Sequence, residues 1–74
     1  MTPPNATGAI IAAQFRKIVR SFHNHGAYSY GTAKTTEELG LRQNMIFNKL
    51  IRRGVIMKSG SRKYFIDKDR LEQY

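Results

Sequence analysis

The sequence predicts an α+β domain of three helices, a two-stranded β-hairpin and a short C-terminal helical turn. Three observations predict it. Apolar residues recur at helical spacing as far as Gly54. Beyond Gly54 the pattern changes to β-branched and aromatic runs around a Ser59-Gly60 turn signal. And 74 residues suffice for one small core, burying about 60% of the surface an unfolded chain exposes.

The first segment, residues 1–7, reads as a flexible tail with Pro3 and Pro4, followed by a single domain over 8–74. Asn5 or Thr7 can cap the first helix, since a short oxygen side chain accepts from a free backbone N–H. Ile11, Phe15, Ile18 and Phe22 form its stripe, widened by Val19. The helix runs to about His25 and stops at Gly26, with Arg16, Lys17 and Arg20 on its other side. A second helix falls within Tyr28 to Leu41, with Ser29 or Thr32 as N-cap and Ala33, Thr36 and Leu39 on one face. Glu37 and Glu38 face water, and Gly40 stands where a C-cap glycine belongs. The third helix runs from Arg42 or Gln43 to Arg53 on a stripe of Ile46, Phe47, Leu50 and Ile51. Val55 to Lys58 and Lys63 to Ile66 are the hairpin strands, with a two- or three-residue loop left open. Asp67 caps a last turn from Lys68 to Tyr74, anchored by Leu71.

Charge narrows the function. Thirteen Lys and Arg against five Asp and Glu leave a formal charge of +8, which points to a polyanionic partner. From Leu39 to Ile66 there are 28 residues without an acid and seven bases among them: Arg42, Lys49, Arg52, Arg53, Lys58, Arg62 and Lys63. A stretch that excludes carboxylates attracts phosphate without local cancellation. The absence of cysteine excludes disulfides, thiolate metal sites and cysteine nucleophiles, and is compatible with a cytoplasmic location. No apolar run approaches the roughly 18 residues of a membrane span, and the start of the chain does not read as a signal peptide.

The run from Thr36 to Leu41, the apolar positions from Ile46 to Leu50, Gly54-Val55-Ile56 and the stretch from Gly60 to Asp67 follow one another in an order that resembles the winged helix-turn-helix superfamily. The resemblance covers about residues 9–74 and extends to small uncharacterised prokaryotic winged-helix domains, from which no activity can be carried over. The chain departs from the pattern in a third helix about one turn short, in Arg42 at the N-cap position, and in Thr36 where alanine is frequent. The resemblance implies double-stranded DNA as partner, with the third helix in the major groove and the hairpin as wing on the backbone. The base-reading residues would then be Gln43, Asn44, Met45, Asn48, Lys49 and Arg52. Asn and Gln pair with adenine, Arg and Lys with guanine, and Met45 meets a thymine methyl. Arg42, Arg53, Lys58, Arg62 and Lys63 would hold phosphates, giving affinity without sequence reading.

Other readings are weaker. His23-Asn24-His25 spells a nuclease-like tripeptide but lacks further ligands and the ββα context. Gly26, Gly31 and Gly40 make no phosphate loop, and no acid/base pair or nucleophile constellation stands out. Tyr28 and Tyr30 are expected to cover core edges. The expectation is therefore a non-enzymatic DNA-binding module for transcription regulation, without cofactor or metal and not on a membrane. An acidic protein partner, and after it RNA, are the alternatives.

Overall fold

The structure, a computed structural model, describes residues 5–73, with side chains described from residue 12 onward. Among the described residues it holds four α-helices and one three-stranded antiparallel sheet. The order is α1 (Asn5–Asn24), β1 (Lys34–Thr35), α2 (Thr36–Leu39), α3 (Met45–Arg52), β2 (Ile56–Ser59), β3 (Lys63–Ile66) and α4 (Lys68–Gln73). A short 3-10 turn, Tyr30–Thr32, precedes β1.

α1 as described begins at Asn5, within the segment expected as a tail, and includes Thr7; Pro3 and Pro4 lie outside the described residues. Its C-terminal half supplies the core with Ile18 and Phe22. The chain leaves it through Gly26 at φ +62°, and the Ala27 carbonyl accepts from Ile66 N–H, which brings β3 onto the end of the helix.

The second predicted helix is largely replaced. Residues 30–35 form the 3-10 turn and β1, and α2 is a single turn capped by Thr35 rather than by Ser29 or Thr32. The Thr35 hydroxyl oxygen accepts from Glu38 N–H at 3.1 Å, and Glu38 Oε1 accepts from Thr35 N–H at 3.0 Å. This reciprocal pair satisfies two donors left free at the helix start. The cap needs Thr35 extended, at φ −74° and ψ 159°, which is also strand geometry, so Lys34 and Thr35 pair with Tyr64 and Lys63. At the other end Gly40 takes φ +68°, as its place in the sequence predicted, and Leu41 N–H reaches back to the Thr36 carbonyl. The Ser21 hydroxyl donates to the Leu39 carbonyl and ties α1 to the same turn.

α3 begins at Met45, two or three residues later than its periodicity suggests, because Asn44 is extended and its side-chain oxygen accepts from Phe47 N–H at 2.9 Å. The N-cap is thus Asn44, a preferred capping residue, and not Arg42. Phe47 and Leu50 are fully buried, and Ile46 and Ile51 flank them half-buried. Phe47 lies between Phe22, at 6.3 Å between ring centroids, and Tyr64, edge-on at 5.2 Å.

β3 is the central strand, with β1 and β2 on either side. Ser59 pairs with Lys63, so the hairpin loop is the three-residue Gly60-Ser61-Arg62, and β2 begins one residue after Val55. Asp67 caps α4 as expected, accepting from Asp69 N–H at 3.0 Å, and Leu71 packs half-buried against the core.

Candidate nucleic-acid interface

The core sets the outward face of α3. Residues lie about 100° apart around a helix, so burying Phe47 and Leu50 turns Met45, Asn48, Lys49 and Arg52 to the opposite side. All are exposed except Asn48, which is half-buried, and Met45 is 79% exposed. Gln43, just ahead of the helix, joins this face: its Nε2 donates to Asn48 Oδ1 at 3.0 Å. Asn44 is exposed but its side-chain oxygen is engaged in the cap. Arg42 lies in the segment between α2 and α3, and Arg53, the C-cap residue, at the other end of α3; both are exposed. Lys49 and Arg52 also lie in the last turn, where cations are favoured by the helix dipole.

The register distributes the hairpin cations. Side chains paired across antiparallel strands share a face and alternate along each strand. Lys58 pairs with Tyr64, whose ring meets Phe47, so Lys58 rises on the side of the sheet that carries the helices. Lys63 pairs with Ser59, on the face where the Phe65 ring meets Tyr30 at 4.7 Å and Ser59 Oγ donates to the Tyr30 carbonyl. The two lysines thus emerge on opposite faces, and the sequence, with the loop length open, could not separate them. Arg62 stands at the hairpin tip with φ +63°, the one non-glycine residue at positive φ among the described residues. An L-residue there costs about 1–2 kcal/mol from the Cβ–carbonyl clash that glycine escapes.

The two histidines and Lys68 have structural partners. His23 Nδ1 meets the Tyr28 hydroxyl, His25 Nδ1 meets the Ser21 carbonyl, and Lys68 Nζ sits 4.1 Å from the Tyr28 ring centroid. Among the described residues no three His, Asp or Glu side chains cluster in a way that could hold a metal ion, and no helix is long and apolar enough to cross a membrane. The Thr35 N–H, and secondarily the Thr35 hydroxyl, hold the Glu38 carboxyl below its ordinary pKa, with Lys34 and Lys63 adding to the effect. Glu38 is therefore a structural carboxylate beside the hairpin and not a proton carrier near neutrality. No protein-family profile, curated protein or solved structure matches the chain.

Proposed function

We propose that the chain is a non-catalytic DNA-binding module of the winged-helix type, of the kind used in transcription regulation. In this reading α3 enters the major groove and the β2–β3 hairpin is a wing on the sugar-phosphate backbone. The order helix, strand, helix, helix, hairpin, with β1 beside β3, supports the winged-helix reading. The observation that carries the DNA reading is the outward face of α3. It presents amide, cationic and apolar groups together, within a stretch of 28 residues that contains no acid. These are the three chemistries by which base edges are read. A major groove about 12 Å wide admits one helix.

An NMR titration with a random-sequence DNA duplex tests this, with heparin as a control polyanion. The expected result is saturable shifts at Met45 to Arg52, Lys58 and Arg62 with duplex, and a weaker, diffuse response to heparin. Equal responses would reduce the surface to general cation attraction. Shifts confined to α1 or α4 would refute the orientation. No response to duplex would return the question to an acidic protein partner or RNA.

A further inference from the structure

Met45 has no packing role that accounts for it. It is 79% exposed in the first turn of α3, whereas Ile46, Phe47, Leu50 and Ile51 of the same helix are buried or half-buried. The other large exposed hydrophobic, Tyr30, is at least packed ring to ring on Phe65. Met45 is flanked on its face by Asn48, Lys49 and Arg52. Next to it, the Gln43–Asn48 bond joins two amides into one unit, using one donor of Gln43 and one acceptor site of Asn48. Gln43 Oε1 and the Asn48 amide N–H groups take no part in that bond, so the unit still offers an acceptor and donors side by side. The major-groove edge of an A·T pair offers the matching set: an acceptor and a donor on adenine, and a methyl group on thymine. Thymine's methyl is the apolar feature of that groove, and a methionine side chain is flexible enough to follow it.

Resting on the DNA-binding reading above, we infer that Met45, with the Gln43–Asn48 amide pair beside it, makes α3 a reader of A·T pairs through the thymine methyl group. Lys49 and Arg52 serve the neighbouring positions or the phosphates. Met45 is then a specificity-determining residue whose removal leaves the fold intact, because it is not part of the core.

The test compares one random-sequence duplex pool built with thymidine against the same pool built with deoxyuridine, which lacks only the methyl group. Affinity is read by fluorescence anisotropy for the parent, Met45→Ala and Met45→Leu. One buried methyl is worth about fourfold in affinity. The parent should therefore bind the thymidine pool about fourfold more tightly. Met45→Ala should bind both pools alike, and Met45→Leu should keep most of the difference. Circular dichroism melts of all three should coincide. If the parent binds neither pool, the DNA reading fails. If it binds both equally, DNA binding stands and this inference is overturned. If Met45→Ala keeps the full difference, another side chain senses the methyl, and the assignment to Met45 is overturned.

Discussion

Replacing Arg62 by glycine should stabilise the fold and weaken the proposed function at once. Arg62 holds φ +63° at the tip of the hairpin, after Gly60 at φ +63°. Glycine removes the clash of about 1–2 kcal/mol that an L-residue carries in this region. It also loosens the unfolded chain, which takes back about 0.5–1 kcal/mol. The net gain lies between about 0 and 1.5 kcal/mol and centres on about 0.75 kcal/mol. In a domain of this length each kcal/mol moves the melting midpoint by about 4–8 °C, so at the central value Arg62→Gly should melt about 3–6 °C above the parent. If the Arg62 guanidinium meets a phosphate, the same variant binds duplex more weakly and its log–log salt slope is shallower by about 1. Thermal circular dichroism and anisotropy at several salt concentrations read the two effects separately. A midpoint below the parent's would refute the strained tip. A raised midpoint with unchanged binding would keep the strain and remove Arg62 from the interface.

Leu50 is fully buried at the centre of α3, so Leu50→Ala should cost about 2–5 kcal/mol and leave a domain with little stability to spare mostly unfolded in a melt, while Lys49→Ala folds like the parent. The parent's log–log salt slope should be about −4.5 if Lys49, Arg52, Arg53, Lys58 and Arg62 engage phosphate, and a slope shallower than about −2 would show that most of them do not. Asn48→Ala or Arg52→Ala should narrow the gap between the best and random sequences by about 1–3 kcal/mol, Lys58→Ala should weaken all sequences alike, and Lys63→Ala, on the opposite face of the sheet, should change binding least. The folded-state pKa of Glu38 is depressed, so its contribution is present above the ordinary carboxylate range and is lost as pH falls through the folded value. Melts at falling pH should therefore show a shallower loss below about pH 4 for Glu38→Gln than for the parent, and identical acid profiles would remove Glu38 from the cap.

What could be read from the sequence is what a repeating or strongly local signal encodes. The α3 stripe has a helical period and a large buried pair, so the outward face follows from it before any coordinates. Gly40 and Asp67 are single residues whose backbone roles few others fill. β1 has no such signal: a two-residue strand is shorter than one alternation, and it exists because the extended Thr35 cap brings Lys34 and Thr35 beside β3. The cap itself was legible, since Thr35 and Glu38 stand in the Thr-x-x-Glu spacing of a capping box. The apolar pattern of the region, with Ala33, Thr36 and Leu39 at three-residue steps, points instead to a longer helix. Asn44 was hidden in the same way, because the polar run Arg42-Gln43-Asn44 is as acceptable in a first helical turn as before one. The relative faces of Lys58 and Lys63 depended on a loop length that the Ser-Gly-Ser sequence leaves open: a two-residue loop would put both on one face, and the three-residue loop separates them.

A purely structural account of the basic surface can be pressed residue by residue, and it fails at two of them. Lys49 and Arg52 lie in the last turn of α3, where any helix gains from cations. Lys58 lies on β2, an edge strand, where a charge discourages pairing with another chain. Gln43 and Asn48 share one hydrogen bond. Each of these has a structural reason to be present. Edge protection gives no reason for Arg62, which is in the loop and not on a strand, at a backbone angle that glycine would hold at lower cost. The core gives no reason for Met45, which is 79% exposed and is not among the side chains packed against it. Where a residue breaks the local rule and the fold gains nothing, the interaction that selects it is to be sought outside the fold. One of these two sits on the helix proposed to read bases and the other on the hairpin proposed to hold the backbone. The proposed DNA duplex would account for both: thymine would offer an apolar partner to Met45, and phosphate an anion to Arg62.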